Sequence, residues 1–455
     1  MMSKNNRRFW LISVLLVASV LFGAEQAKIV SSYGMTNQNI SFEQIKAGRM
    51  AVKIEIAKEH ADLLSYRYLL LPKTNSGIFM SGGKAIAVGP TANLHGVTWE
   101  QIDKMTPEQI KAKGVFPYEP LPFPDHAEGG MLFPEMATKQ MSRLVRFDLD
   151  FDLPEQFLPD PAPAIYLTTR PDLGDIAKGR LITIDNYYEI FNGILNPKQL
   201  EGLRLLVTQF PQQQFNATED RRTDRPSLGV SCFDCHANGH TNGATHLTGD
   251  IRPQEFRHRI ETPTLRGVNI QRLFGSQRAL KTVEDFAEFE QRGAYFDGDQ
   301  TMAAKKGVNV LDRGSQVHFM SEFMEILDFP PAPKLTIYGE LDRTKATPSE
   351  LNGEALFNGK ARCVACHTAP YFTDNSMHDL KAERFYKMEQ VNSMMMAHDG
   401  PIKTFPLRGI KDSPPYLHDG RCFTLEDTVE YFNLIQQLHL SSQEKEDIVA
   451  YLRCL

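Results

Sequence analysis

The chain has 455 residues, 42% of them hydrophobic, and a formal net charge of −6. That is room for two to four domains of ordinary globular composition. The mildly acidic balance argues against a nucleic-acid partner, and beyond the N-terminus no segment approaches the roughly 20 apolar residues that span a bilayer.

Lys4, Arg7 and Arg8 precede an uncharged, mostly apolar run over residues 9–22. The pattern reads as a secretory signal, residues 1–24, with cleavage after Ala24. Phe22 suits the −3 position poorly, and an uncleaved segment would act as a membrane anchor instead. The periplasm is the expected destination. Residues 25–190 carry no cofactor motif; Met80-Ser-Gly-Gly83 is a lone glycine pair. Thr106 and Gln109 predict a short helix with a capping box. Residues 51–56 and 143–151 alternate as short strands do. Residues 116–133 and 153–171 are rich in proline and aromatics and read as packed loops. The whole is expected to be an α+β or irregular region that wraps the C-terminal part of the chain or forms a subunit contact. A substrate or partner platform is the sharper alternative.

Two pentapeptides dominate the rest: Cys232-Phe-Asp-Cys235-His236 and Cys363-Val-Ala-Cys366-His367. Cys-x-x-Cys-His is the attachment signature of c-type haem. The two thiols add across the haem vinyl groups, and the adjacent histidine becomes the proximal iron ligand. A redox or zinc Cys-x-x-Cys is the rival reading, but it gives the histidine no task at either copy. Two covalent haem c groups are therefore expected. They agree with export, because haem c is attached outside the bacterial cytoplasm. Cys422 and Cys454 remain, either paired in an oxidising compartment or as buried free thiols.

The flanks of the two motifs repeat. Asn196-Pro-Lys-Gln-Leu-Glu-Gly-Leu-Arg-Leu-Leu206 and Thr347-Pro-Ser-Glu-Leu-Asn-Gly-Glu-Ala-Leu-Phe357 both read as helix starts with a cap, proline at N1 and Gln199 or Glu350 at N3. Gly202 and Gly353 match at an offset of 151 and read as close-packing positions or as plain surface glycines. Downstream, Thr262-Pro-Thr-Leu-Arg-Gly267 pairs with Thr404-Phe-Pro-Leu-Arg-Gly409 at an offset of 142. Thr282 and Thr424 come next as N-caps, with Asp285 and Asp427 three residues on. The offset at the histidines is 131, so loop lengths differ while landmarks persist. This is the mark of duplication. Asp328-Phe-Pro-Pro-Ala-Pro-Lys334 is a stiff connector, and Ser441 with Glu444 opens a final helix.

Cys363-Val-Ala-Cys-His-Thr-Ala-Pro-Tyr-Phe-Thr-Asp-Asn375 and Thr404-Phe-Pro-Leu-Arg-Gly-Ile-Lys-Asp-Ser-Pro-Pro-Tyr-Leu-His-Asp-Gly-Arg421 resemble the second haem domain of the bacterial di-haem cytochrome c peroxidase superfamily. That group includes the di-haem enzyme of methylamine dehydrogenase maturation. The resemblance implies a mostly α fold with two tandem cytochrome c-like haem domains, 191–340 and 341–455. It implies a peroxidase-like oxidoreductase in which a small redox protein donates electrons at the His367 haem. Hydrogen peroxide is then reduced at the His236 haem. Glu284 or Asp285 takes the place of the family's acid/base, and Arg278 that of a charge-steadying group. Acidic residues in a first helical turn also have an ordinary reason to be there, the helix dipole. His246 and His258, with His240 close behind, fall where relatives carry a removable distal histidine. Met396 and Tyr431 are the distal candidates at the second haem, because Phe432 occupies the family's ligand position and cannot ligate. His418 matches a histidine that orients the site. One calcium ion is implied near Glu261 and Thr404.

The chain also departs from the family. Phe274-Gly-Ser-Gln-Arg278 stands where peroxidases keep a Phe-Trp-Asp-Gly-Arg-like loop, and the only tryptophans are Trp10 and Trp99. A relay between the haems would therefore use tyrosine, phenylalanine or direct transfer. Two other functions stay open: a di-haem electron carrier with both irons six-coordinate, and an oxygenase or oxidase acting on an organic substrate.

Overall fold

The computed structural model describes residues 42–71, 73–119, 131–145, 153–209, 230–246, 260–294, 310–386, 389–391, 394–396 and 401–455. The signal reading, His258 and residues 146–151 lie outside them. The described residues are helix-rich, with strands that are mostly two or three residues long. The helices are α1 (Phe42–Arg67), α2 (Trp99–Ile102), α3 (Pro107–Lys113), α4 (Glu135–Gln140), α5 (Tyr187–Phe191), α6 (Pro197–Leu206), α7 (Cys232–Cys235), α8 (Val283–Ala294), α9 (Val310–Met324), α10 (Pro348–Asn358), α11 (Leu425–Ile435) and α12 (Ser442–Leu452).

Local capping chemistry sets many of the helix starts. Asn196 and Gln199 open α6 with a reciprocal capping box, and Pro197 sits in the first turn. Thr347 and Glu350 open α10 in the same way. Thr106/Gln109 at α3 and Ser441/Glu444 at α12 repeat the device. The paired glycines then set a shared helix crossing. A Cβ on Gly202 would stand 1.9 Å from the Phe319 carbonyl oxygen of α9, and one on Gly353 1.9 Å from the Asp447 carbonyl oxygen of α12. Each Cys-x-x-Cys-His motif is thus accompanied by two helices in backbone contact at a glycine. The partner helix of the first unit, α9, carries no repeat signal in its sequence.

The loops after the crossing also correspond. Gly267 and Gly409 have φ of 72° and 73°, and Arg278 and Gly420 have φ of 55° and 68°. The bridge Phe274↔Leu280 matches Tyr416↔Cys422. The 142-residue offset therefore runs on to Thr282 and Thr424, which cap α8 and α11. The connector packs on this frame. A Cβ on Gly267 would meet the Phe329 ring at 2.0 Å, and one on Gly409 would meet Pro330 at 2.8 Å.

Among the described residues the two larger hydrophobic clusters form the core. The first joins Ile165, Leu167, Ile182 and Phe191 to Leu203, Phe233, Leu265, Met320 and Phe323. The second joins Leu64, Tyr68, Ile102, Phe116 and Phe157 to Phe357, Phe423, Tyr431 and Tyr451. N-terminal side chains thus share a core with the second motif. Thr91 donates through its N–H and hydroxyl to the buried Asp427 carboxylate, and Tyr68 donates to the Arg421 carbonyl at 2.5 Å.

Strands are minor. β1 (Lys73–Phe79) pairs with β2 (Ala85–Val88). β3 (Met131–Leu132), β5 (Thr245–His246) and β6 (Ile260–Glu261) form a three-stranded sheet. β4 (Tyr166–Leu167) pairs with β7 (Leu327–Asp328), β8 (Met377–His378) with β11 (Ile402–Lys403), and β9 (Glu389–Val391) with β10 (Met394–Met396). The strand expected at 51–56 is instead part of α1. Alternation over six residues is a weak signal, and the 26-residue segment is rich in Ala, Glu and Lys, which favour helix. Arg143 likewise starts no strand; it lies in the short 3₁₀ turn Ser142–Leu144.

Candidate haem sites

Each Cys-x-x-Cys-His motif closes one tight turn. The His236 N–H donates to the Cys232 carbonyl at 2.9 Å, and the His367 N–H to the Cys363 carbonyl at 2.9 Å. At the first motif Asp234 tightens the turn. Its buried carboxylate accepts the Ser231 N–H at 2.7 Å and both terminal nitrogens of Arg143 at 2.5 Å. This bidentate pair brings residue 143 onto the attachment turn.

The two imidazoles are held alike. His236 Nδ1 lies 2.9 Å from the Pro263 carbonyl oxygen, and His367 Nδ1 lies 2.9 Å from that of Phe372. A carbonyl only accepts, so Nδ1 carries the proton and Nε2 keeps its lone pair. Such an outer bond fixes ring orientation and raises the basicity of a ligating nitrogen. Burial depresses both imidazoles, His236 to about 4, so both stay neutral. None of the four motif cysteines is in a disulfide, and burial pushes the Cys363 thiol up to about 12. Two thiols and one neutral imidazole on a single turn, with Phe233 or Val364 of the same motif packed on a hydrophobic core, fit a covalently attached haem c. Among the described residues no three His, Cys, Asp or Glu side chains converge as a metal cage.

No family model matches the chain. Over 173 residues it is 28% identical to cytochrome-c peroxidase IdrP2 of Pseudomonas sp. (strain SCT), covering 30% of this chain and 47% of that protein. Over 129 residues it is 30% identical to methylamine utilization protein MauG of Methylophilus methylotrophus, covering 25% and 38%. A longer match, 284 residues at 26% identity, joins it to cytochrome-c peroxidase IdrP2 of Denitromonas iodatirespirans over 50% of this chain and 76% of that one. The chain is related to the bacterial di-haem cytochrome c peroxidase superfamily. It spans less than half the length of the first two relatives, 47% and 38%. Diheme peroxidase BthA of Burkholderia thailandensis overlaps in structure at a TM-score of 0.37 and 15% identity, over 56% of this chain and 85% of that chain.

The positions that the peroxidase resemblance singles out fall in different settings. His240 is wholly engaged: Nε2 donates to the Asp412 carbonyl at 2.9 Å, so Nδ1 accepts from the Thr264 hydroxyl at 2.7 Å. With both nitrogens used, it is a buried strut rather than a distal ligand. The His246 backbone lies in β5, opposite Met131 and Ile260. Met396 lies in β10, opposite Glu389. Tyr431 is fully buried, 6.4 Å from the Phe116 ring and 5.7 Å below the Arg421 guanidinium. Glu284 lies 3.3 Å from His318 Nδ1 on α9. Asp285 caps α8 instead, accepting the Lys281 N–H at 3.1 Å. Asp419 is locked to Arg421 in a buried pair; burial would raise its carboxyl, but the guanidinium holds it well below the usual range. Glu261 accepts from Thr241 at 2.9 Å and the Thr404 carbonyl from Thr373 at 2.6 Å, in the region to which the resemblance assigns calcium. Cys422 and Cys454 are free thiols, not a disulfide.

Two residues stand out that the sequence did not single out. Asp412 joins three parts of the chain, accepting from Ser81 N–H at 3.0 Å and from Arg266 at 3.1 Å while its carbonyl holds His240. Lys403 is buried beside the Arg278 loop. Neither residue type at an ordinary spacing marks itself as buried; only its place beside a repeated landmark, Thr404 or Gly409, gives a hint.

Proposed function

We propose that the chain is an exported di-haem c-type oxidoreductase of the peroxidase kind. In this reading a small redox protein delivers electrons to the His367 unit, and hydrogen peroxide is reduced at the His236 unit. One observation carries the reading: two Cys-x-x-Cys-His turns in one chain, each with its imidazole Nδ1 bound to a backbone carbonyl and Nε2 left for iron. The peroxidase names of its relatives support the reaction class. We assign residues 1–24 to a signal, 25–190 to an N-terminal region, and 191–340 and 341–455 to the two haem domains, with the periplasm as destination.

Haem c, when bound, supplies an iron that exchanges single electrons and can bind a small oxidant. The protein supplies position and protons. The Pro263 and Phe372 carbonyls orient the proximal rings, and the Arg143–Asp234 clamp steadies the first attachment turn. Peroxide reduction also needs a group that moves a proton from one oxygen to the other. We assign that role to Glu284 rather than Asp285, because the Asp285 carboxylate is used in capping α8. His318 beside Glu284 can return the proton from solvent.

Low-temperature electron paramagnetic resonance of the oxidised and half-reduced protein tests the proposal. A high-spin ferric signal beside a low-spin one, with the high-spin centre consumed by peroxide, is expected. Two low-spin signals in both states, unmoved by peroxide, would leave an electron carrier without turnover.

A further inference from the structure

Two cations meet where the 271–278 loop of the first unit touches the second. Lys403, the last residue of β11, is 2% exposed. Its Nζ donates to Gln271 Oε1 at 2.6 Å and lies 5.4 Å and 5.2 Å from the ring centres of Phe274 and Phe405. Two bonds between the 401–403 main chain and the loop fix this insertion: Lys403 N–H donates to the Ser276 carbonyl at 2.9 Å, and the Gln277 side-chain Nε2 donates to the Pro401 carbonyl at 3.2 Å. Arg278 ends the same loop at φ 55°, where the second unit has Gly420. Its Nε is buried and makes no hydrogen bond among the described residues.

Among the described residues neither cation has a carboxylate partner. Burial, and then the Arg278 charge, press the Lys403 ammonium down to about 7. A buried ammonium beside a guanidinium, with one neutral acceptor and two ring faces, is an expensive arrangement unless an anion completes it. The surroundings narrow the choice of anion. Gln271 and Phe274 come after the Pro263 segment that holds His236, and the Phe405 main chain reaches the His367 ring. The cations therefore lie on the backbone path between the two iron-binding histidines.

We propose that Lys403 and Arg278 form the receptor for a haem carboxylate at the junction of the two units. The inference rests on the di-haem reading. Each haem c brings two propionate carboxylates that need a counter-charge when buried. A guanidinium can bind a carboxylate through two parallel hydrogen bonds, and an ammonium adds a compact point charge. The extra positive charge also disfavours the ferric state of the haem whose propionate it holds.

The test uses the full haem-loaded chain, with Lys403→Met, Lys403→Gln and Arg278→Gln beside wild type. Haem content, the midpoint potential of each haem by spectroelectrochemistry, and the propionate bending bands in resonance Raman are read together. In variants that keep two haems, one midpoint is expected to fall by ~59 mV, a tenfold rise in the oxidised-to-reduced ratio of that haem at a fixed potential for one electron. The propionate band of that same haem should shift. Unchanged midpoints and bands in both Lys403 variants would overturn the proposal. So would a wild-type midpoint that moves as strongly with added chloride or phosphate, which would assign the site to a free anion. A wild-type chain that carries no haem would remove the di-haem reading itself.

Discussion

Replacing Gly353 with alanine tests the helix crossing that each unit shares. The new Cβ would stand 1.9 Å from the Asp447 carbonyl oxygen and 2.6 Å from its carbon, where ordinary contact begins near 3.4 Å. The obstacle is helix backbone, so α10 and α12 must move apart by more than about 1 Å in a close-packed interior. Asp447 also accepts from Ser349 and Asn352 at 2.5 Å each across the same crossing, and both bonds would lengthen. Overpacking costs about 1–3 kcal/mol. The backbone obstacle puts this site at the upper end, against about 1 kcal/mol gained by removing a helical glycine. The net expectation is a loss of about 2 kcal/mol. Gly202→Ala should behave alike, since its Cβ would meet the Phe319 carbonyl oxygen at 1.9 Å. Gly314→Ala is the control: it lies in α9 with nothing within 4 Å and should stabilise by up to about 1 kcal/mol. Thermal and urea unfolding of the three variants gives the comparison. Gly353→Ala as stable as Gly314→Ala would refute the backbone-contact account.

Three further outcomes rest on named contacts. Burial raises the Asp427 carboxyl from 3.8 to about 6. Its contribution to stability is therefore present below the unfolded value and lost as pH rises through about 6. Asp427→Asn should remove that fall and be more stable than wild type at pH 7 by up to about 3 kcal/mol, read as the difference between two unfolding profiles from pH 4 to 7. Arg266→Met strands the buried Asp412 carboxylate, and urea unfolding should show a loss of about 3–5 kcal/mol. Glu284→Gln should lower peroxide turnover by about 10²–10⁴. Asp285→Asn should leave turnover within a few-fold, and equal losses in the two variants would contradict the assignment of Glu284.

Local chemistry was the most legible part of the chain. Asn196/Gln199, Thr347/Glu350, Thr106/Gln109 and Ser441/Glu444 all form capping boxes, because a cap depends on residues three apart and little else. The repeat was readable where backbone conformation demands it, at Gly267 and Gly409 with left-handed φ. α9 was missed, because a helix that meets Gly202 through its carbonyls needs no particular side chain at the crossing. Residues 51–56 misled because a six-residue alternation fits a solvated helix as well. Lys403 was invisible for another reason: lysine ordinarily faces water, and its burial is set by a loop more than a hundred residues away in the chain. His240 looked like a spare ligand until its two partners, Thr264 and Asp412, were seen to come from different parts of the fold.

The most direct measurement is the haem count of the protein, by intact mass and by pyridine haemochrome absorbance, in wild type, Cys235→Ala and Cys366→Ala. Two haems in wild type are expected. Each variant should keep its untouched site fully loaded and show a weakened or lost attachment at the other. A wild-type chain with no covalent haem, or with zinc at the cysteines, would contradict the account at its base.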